Sequence, residues 1–216
     1  MKNMLVIGLG RFGQQLAKSF MELGCDVMAV DSDEKIVNGI SWPITRLQIG
    51  DCTDELVLKQ IGVSNFDCCF VCMGQHFQTA LEISSLLKEN GAKRVVAKTD
   101  NERHAKLLIK IGADEIVFPE RDMAKRTAVK FNAGNIFEYF ELTPEYSVFE
   151  IKTPTAWLGK TVIALNIRAK YGINIIAAKK KGRFVPITSG DFTFTADEHL
   201  LVAGEKKNII KISERG

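Results

Sequence analysis

The sequence predicts an α/β fold in which a doubly wound parallel sheet is followed by a small α+β domain. Three observations predict it. The glycine pattern Gly8-Leu9-Gly10-Arg11-Phe12-Gly13 lies between a short apolar run and a segment with helical spacing. Short apolar runs then alternate with helical segments as far as Pro119. Beyond that proline the alternation stops, and short β-like runs separated by turn residues follow.

The glycine pattern and its flanks are typical of a Rossmann-type nucleotide-binding βαβ unit. The unit comprises a strand over 4–7, a helix over 14–23 and a strand over 27–30 that ends at Asp31. Gly8 permits the tight turn, Gly10 lets the backbone approach a phosphate, and Gly13 lets helix and strand pack closely. The helix N-terminus offers free N–H groups and a partial positive charge to the anion. The alternative is a plain strand-to-helix turn without a ligand.

Asp31 specifies the kind of nucleotide. A carboxylate at this place accepts hydrogen bonds from ribose hydroxyls and repels a 2′-phosphate, and the next residues, Ser32 and Asp33, bring no arginine. The ribose is therefore expected to be unphosphorylated, as in NAD, ATP or ADP. We take Asp31, Ser32 and the loop residue Phe12 as candidate ligand contacts.

The first half of the chain continues the alternation. Further strands are predicted over 44–49, 67–73, 94–98 and 115–118, with helices over 54–61, 76–89 and 101–111. Six strands of this kind form a parallel sheet with the expected order 3-2-1-4-5-6, and the nucleotide belongs at the carboxyl ends of strands one to three. Asp51 and Cys52, after strand three, are therefore candidate site residues, and Lys98 at the end of strand five is another.

The remainder predicts a connecting segment and a second domain. A basic helix over 120–132 precedes turn residues and an aromatic segment, so we expect domains over 1–118 and 141–216 joined by a crossover helix and linker over 119–140. The second domain is predicted to contain strands over 147–152, 173–179, 183–187 and 200–202 and a helix over 161–171. A unit of about 75 residues is marginally stable alone and gains most by dimerising.

Composition limits the function classes. The 216 residues carry a formal net charge of +3 with mixed signs, which gives no reason to expect a nucleic-acid partner. Apolar runs are too short for a membrane span and the start lacks a signal peptide, so a cytoplasmic protein with free thiols is expected. The segment Cys69-Phe-Val-Cys72 contains a CxxC motif, which can indicate a redox or zinc site. Along a strand, however, residues three apart point to opposite faces. The motif therefore favours buried cysteines that act as small hydrophobic residues.

The site residues favour binding without catalysis. Short-chain reductases require a tyrosine followed four residues later by a lysine, and none of the tyrosines in this sequence has one. Arg11, fourth in the glycine pattern, is placed to meet the extra charge of a triphosphate. The alternative for Arg11 is an exposed side chain that contacts only the pyrophosphate or solvent. The alternative for the chain is an NAD(H)-binding oxidoreductase, and a third class is a nucleotide sensor with a different partner.

Several motifs together resemble the KtrA/TrkA family of regulatory (RCK) subunits of bacterial potassium-uptake channels. They are Val6-Ile-Gly-Leu-Gly-Arg-Phe-Gly13, Ala29-Val-Asp31, Gly62, Ile111-Gly-Ala-Asp114, Pro119-Glu-Arg-Asp-Met123 and Leu165-Asn-Ile-Arg-Ala-Lys-Tyr-Gly172. The resemblance implies a cytoplasmic ATP/ADP-binding subunit, whose dimers form an octameric ring beneath a KtrB/TrkH-like potassium-translocating subunit at the inner face of the membrane. It implies that ATP favours the active ring and ADP the inactive one. Gln14 and Gln15 depart from the Gly or Ser that often follows Gly13 in the family.

The resemblance also implies two further ligands. One is a divalent cation, Mg²⁺ or Ca²⁺, that Glu120 helps to hold near the terminal phosphate; the alternative is a carboxylate that only stabilises the helix start. The other is cyclic di-AMP, between two C-terminal domains. The residues of that candidate pocket are Ile163, Ile167, Arg168, Asn174, Ile175 and Pro186. Ile163 and Ile167, four apart on one predicted helix face, would flank a base beside Arg168; the alternative is that they are ordinary core.

Overall fold

The computed structural model describes residues 1–74, 76–132 and 134–214, which fall into two compact units. The first unit is Met1–Arg121, and the second begins at Asp122. Each unit has its own sheet and its own hydrophobic core. The two units are described separately below.

Within the described residues, the first unit is built on a parallel sheet of six strands. The strands are β1 (Asn3–Ile7), β2 (Asp26–Asp31), β3 (Arg46–Ile49), β4 (Cys68–Val71), β5 (Val95–Lys98) and β6 (Glu115–Val117). Their order is β3-β2-β1-β4-β5-β6, and every neighbouring pair is parallel, which confirms the predicted Rossmann-type sheet. The central strand β1 is almost wholly buried, as expected for a strand covered on both faces.

Helices follow each of these strands, and three of them begin at polar caps. They are α1 (Arg11–Glu22), α2 (Glu34–Asn38), α3 (Glu55–Ile61), α4 (Phe77–Glu89), α5 (Glu102–Ile111) and α6 (Pro119–Asn132). The carboxylates of Asp33 and Asp54 and the amide oxygen of Asn101 each accept a backbone N–H in the first turn of α2, α3 and α5, at 2.8 Å. The sequence did not predict α2, because five residues are too few to show a helical period.

The two faces of this sheet carry separate core clusters, and the CxxC cysteines are divided between them. Cys69 packs in one cluster with Leu5 and Val71, whereas Cys72 packs in the other with Val6. Burial raises the pKa of both thiols to about 12. The interpretation of these cysteines as buried small hydrophobes is therefore confirmed.

The second unit is built on an antiparallel sheet. Its strands are β7 (Ile136–Glu141), β8 (Tyr146–Lys152), β9 (Ile173–Lys180), β10 (Arg183–Pro186) and β11 (His199–Glu205), in the order β10-β9-β11-β8-β7. Its helices are α7 (Val162–Leu165), α8 (Ile167–Tyr171) and α9 (Lys206–Ser213). The core contains the buried side chains of Phe149, Trp157, Phe194 and Leu200. This arrangement confirms the predicted small α+β domain.

Three elements of this unit differ from the prediction. The helix predicted over 161–171 is broken at Asn166, whose backbone is left-handed with φ 46° and ψ 48°; asparagine tolerates this region better than other non-glycine residues. The segment Ile136–Glu141, which was predicted as linker as far as residue 140, is the edge strand β7. The helix α9 was not predicted at all.

In the ranges that the structure describes, no helix combines the length and apolar character needed to cross a bilayer. Within the same ranges, three or more His, Cys, Asp or Glu side chains do not come together in a way that could hold a metal ion. All five cysteines are free thiols.

Candidate nucleotide-binding site

The glycine loop between β1 and α1 has a geometry that only glycine allows at two positions. Gly8 has a φ of 89°, and its N–H donates to the carbonyl oxygen of Val30 at 2.9 Å, which joins the loop to the end of β2. A Cβ atom on Gly13 would lie 1.9 Å from the carbonyl oxygen of Gly8. The first turn of α1 therefore packs directly on the backbone of the loop.

The start of α1 is open to an anion. Gly10 is the N-cap, and in the described part of the chain α1 has neither a side-chain cap nor an acidic residue in its first turn. A Cβ atom on Gly10 would meet nothing within 4 Å, so the backbone can be approached closely there. Arg11 is exposed at the first helical position and Phe12 is half-buried. Such a helix start supplies backbone N–H donors and positive dipole charge to a phosphate.

Gln14 has a local structural role. Its Nε2 donates to the carbonyl oxygen of Leu9 at 2.8 Å, so the side chain turns back onto the loop. The amide therefore braces the glycine loop from the helix. The bulk of the Gln14 side chain is accommodated in this way.

Asp31 fixes the glycine loop to the end of β2. Its Oδ2 accepts the N–H of Leu9 at 2.6 Å and its Oδ1 accepts the N–H of Asp33 at 2.9 Å. A carboxylate oxygen can accept more than one hydrogen bond, so the half-buried side chain retains capacity for a ribose hydroxyl. Ser32 is exposed beside it.

Asp51 and Cys52, which follow β3, have different environments. Asp51 is exposed, and hydrogen bonds from the backbone N–H and the hydroxyl of Thr53 hold the pKa of its carboxyl below its usual value. The side chain of Cys52 lies in the core, and burial raises the pKa of its thiol to about 12. Cys52 can thus offer a ligand only its backbone, and its place in the nucleotide site stays a prediction.

Lys98, at the end of β5, pairs with Glu120 at the start of α6. The ammonium Nζ lies 2.6 Å from Glu120 Oε1 and 5.5 Å from the centre of the Phe12 ring. This hydrogen bond holds the pKa of the Glu120 carboxyl below its usual value. A single carboxylate does not make a cation cage, but Mg²⁺ is commonly held by one or two carboxylates together with nucleotide phosphates, so Glu120 fits a cation shared with a ligand.

The second unit has a cleft where part of the second candidate site was predicted. Its volume is about 240 Å³, and the lining includes Ile167, Arg168, Asn174 and Ile175. Arg168 Nε donates to Asn174 Oδ1 at 2.7 Å, which orients the guanidinium.

The other two predicted residues of this site lie differently. Ile163 is 68% exposed and packs against Gly190, because the break at Asn166 removes it from the face of the buried Ile167. The expectation that these two isoleucines share one helix face is therefore wrong. Pro186 is exposed on β10, one residue before Ile187, which lines the cleft.

Sequence reasoning missed three residues of the first site. Leu9 contributes the N–H that Asp31 accepts, and the amide of Gln14 braces the loop. Gly74 lies beneath Lys98, since a Cβ atom there would be 3.2 Å from Lys98 Cε. A glycine directly after the apolar run over 67–73, at the carboxyl edge of a parallel sheet, is a signal that could have identified Gly74.

Comparison with known proteins agrees with this architecture. The TrkA-N domain model matches residues 4–119 and the TrkA-C domain model matches residues 147–215. Ktr system potassium uptake protein C of Bacillus subtilis is 41% identical over 214 residues, covering 99% of this chain and 97% of that protein. Ktr system potassium uptake protein A of the same organism is 35% identical over 215 residues, covering 100% of this chain and 97% of that protein.

Solved structures share the fold at low identity. The GsuK channel aligns with a TM-score of 0.70 at 16% identity, and the GsuK channel bound to NAD aligns with a TM-score of 0.67 at 17% identity. Each alignment covers 96% of this chain and 38% of the channel chain, so this chain spans well under half the length of those structures. Both domain models and the full-length similarity to the Bacillus proteins lead to one conclusion: the chain belongs to the KtrA/TrkA family of potassium uptake proteins.

Proposed function

We propose that this chain is a nucleotide-binding regulatory subunit that gates a membrane potassium-translocating partner. The observation that carries the proposal is the uncapped start of α1, which lies beside a carboxylate, Asp31, already bonded to the glycine loop. Anion-binding N–H groups and a ribose acceptor are thereby placed on one loop. The names of the Bacillus relatives, potassium uptake proteins of the Ktr system, support the transport role.

The ligand we propose is ATP or ADP, with NAD or NADH as the second candidate. Arg11 favours a nucleotide with a terminal phosphate, whereas a structural neighbour of this fold has been solved with NAD. We assign no catalytic residue. Calorimetric titration of the full chain with each of the four nucleotides decides between them. Oxidation of bound reduced nicotinamide by a substrate would instead support an NAD(H)-dependent oxidoreductase.

The partner we propose is a KtrB/TrkH-like membrane subunit, bound by a ring of homodimers that form an octamer at the inner face of the membrane. The proposal predicts that the protein co-purifies with such a subunit and that the complex changes potassium flux when ATP replaces ADP. Equal flux with both nucleotides would contradict the regulatory role.

Replacing Arg11 with alanine is expected to reduce the preference for ATP over ADP by about tenfold, the value of one charge-assisted hydrogen bond. Arg11 is exposed at the first position of α1, where its guanidinium can reach a terminal phosphate of the same or a second copy. Calorimetry with both nucleotides measures the ratio of the two affinities.

The matched control for Arg11 is Lys18→Ala, which removes another exposed cation of α1 two turns further from the loop. This variant is expected to keep the wild-type ratio. An unchanged ratio in Arg11→Ala would remove Arg11 from nucleotide discrimination.

We further propose that Glu120 shares a divalent cation, Mg²⁺ or Ca²⁺, with the nucleotide phosphates. Supporting this role, the carboxylate is 62% exposed and can meet a ligand from the solvent side. The cation would neutralise the charge of the phosphates, and Glu120→Gln would then weaken the dependence of ATP affinity on Mg²⁺ or Ca²⁺.

For the second unit we propose that the cleft beside Arg168 is half of a cyclic di-AMP site. Its volume of about 240 Å³ is below the roughly 300–1,000 Å³ usual for small-molecule pockets, which suits a site completed by a second copy. Apolar walls from Ile167 and Ile175 would contact a base, and Arg168 would contact a phosphate.

Replacing Arg168 with alanine is expected to weaken cyclic di-AMP binding by about ten- to 150-fold, the value of a hydrogen bond to a charged group. Calorimetry on the full chain should give one ligand per two chains. Arg183→Ala, which removes an exposed arginine of β10, is the control and should bind normally. Wild-type protein that shows no binding heat would exclude cyclic di-AMP from this cleft.

A further inference from the structure

The ion pair of Lys98 and Glu120 is unequally exposed. The side chain of Lys98 is only 14% exposed, whereas that of Glu120 is 62% exposed. A cation largely withdrawn from water requires an anionic partner, because an unpaired buried charge costs several kilocalories per mole. The carboxylate, in contrast, can return to water at little cost. Of the two, therefore, Glu120 is the partner that can be exchanged.

The position of Lys98 is fixed by its surroundings. Its stem passes over Gly74, where a Cβ atom would lie 3.2 Å from Cε and 3.4 Å from Nζ. Its ammonium faces the ring of Phe12 at 5.5 Å. Phe12 belongs to the glycine loop and to the first turn of α1, so the ammonium lies at the same edge of the sheet as the proposed phosphate-binding N–H groups.

Glu120 connects this edge to α6. It is the second residue of that helix, where a carboxylate is favoured by the helix dipole whether or not it is paired with a lysine. Release of Glu120 from Lys98 would therefore leave the helix start stabilised and free its carboxylate for another cation.

We propose that Lys98 binds a phosphate of the nucleotide by exchanging partners, with Glu120 as its counter-ion in the ligand-free protein and the phosphate as its counter-ion in the complex. The inference rests on the proposed nucleotide site and goes beyond it by naming the residue that links phosphate binding to the start of α6. Nucleotide binding then releases Glu120, and the same carboxylate can take up a divalent cation only after this release.

The proposed exchange predicts opposite changes in ATP affinity for variants of Lys98 and of Glu120. In the presence of a chelator, Lys98→Met should weaken ATP binding by about tenfold, because the charge-assisted bond to the phosphate is lost. Methionine keeps most of the apolar stem. Glu120→Gln should strengthen ATP binding, by about threefold or more, because the competing carboxylate is removed. Calorimetry on the full chain measures both, and the chelator excludes any contribution from a divalent cation.

The double variant separates exchange from simple charge repulsion. If Glu120 competes for Lys98, Glu120→Gln should have little effect once Lys98 is methionine. If Glu120 merely repels the phosphate, its removal should strengthen binding at least as much in that background. Equal strengthening in both backgrounds would overturn the exchange.

Two further variants distinguish failure of the Lys98 exchange from failure of the proposed nucleotide site. Glu102→Gln removes an exposed carboxylate that pairs with Arg121 and should leave ATP affinity unchanged. Wild-type affinity in Lys98→Met, together with weakened binding in Asp31→Ala, would overturn the role of Lys98 while keeping the nucleotide site. Wild-type protein that binds no nucleotide would overturn both. Thermal unfolding of each variant verifies that the fold is retained.

Discussion

Replacing Gly13 with alanine is expected to destabilise the first unit by about 3 kcal/mol, the upper part of the range for overpacking, and to reduce nucleotide affinity more than about 100-fold. The added methyl carbon would lie 1.9 Å from the carbonyl oxygen of Gly8, and this neighbour is backbone rather than a flexible side chain. Either α1 or the glycine loop must move, and the loop carries the proposed phosphate contacts. Thermal unfolding should show a transition lowered by roughly 6–12 °C, and calorimetry should show loss of ATP binding.

Gly10→Ala is the matched control, since it adds the same methyl group three residues earlier. Gly10 has a φ of −63°, and a Cβ atom there would meet nothing within 4 Å, so stability should remain near that of the wild type. Nucleotide affinity should still fall, because the methyl group occupies the path by which a phosphate approaches the helix start. An unchanged transition in Gly13→Ala would contradict the packing, and wild-type binding in Gly10→Ala would contradict the phosphate site.

The N-terminal sheet could be predicted from sequence because its strands are buried on both faces. Such strands appear as continuous apolar runs, as in Leu5-Val6-Ile7, and the connections in a doubly wound sheet allow few strand orders. The C-terminal unit was harder to predict, because one face of an antiparallel sheet can be polar, so its strands do not appear as continuous apolar runs. The edge strand β7 carries Glu138 and Glu141, which pair with Arg126 and Lys125 of α6, and its mixed pattern did not indicate a strand.

The site divides in the same way between local and non-local features. The local geometry at Gly8, Gly13 and Asp31 could be predicted because the glycine pattern and the acid occur at fixed spacings within one βαβ unit. Two other contacts join residues about 20 positions apart: the hydrogen bond from Leu9 to Asp31 and the ion pair of Lys98 with Glu120. No periodicity in the sequence indicates that these particular groups meet. Asn166 shows the limit of helical spacing, since one left-handed residue takes the exposed Ile163 off the helix face of the buried Ile167.

Asp31→Ala is expected to weaken ATP and ADP binding by about ten- to 150-fold, corresponding to roughly 1.5–3 kcal/mol for a hydrogen bond to a charged group. The carboxylate accepts the N–H of Leu9 at 2.6 Å, so its removal takes away both the proposed ribose acceptor and a bond that holds the glycine loop. Calorimetry with ATP and with 2′-deoxy-ATP separates the two effects. If Asp31 accepts a ribose 2′-hydroxyl, the wild type should prefer ATP and the variant should lose that preference.

Asp33→Ala is the matched control for this prediction, because it removes a carboxylate two residues away that caps α2 through the N–H of Lys35 at 2.8 Å. Loss of the cap should cost about 1 kcal/mol of stability but leave nucleotide affinity close to that of the wild type. Comparing the two variants shows whether nucleotide affinity depends on a carboxylate at position 31 or only on a negative charge nearby. Binding of ATP and ADP by Asp31→Ala at wild-type affinity would show that the nucleotide site lies elsewhere, since a ribose held at the end of β2 must contact this carboxylate.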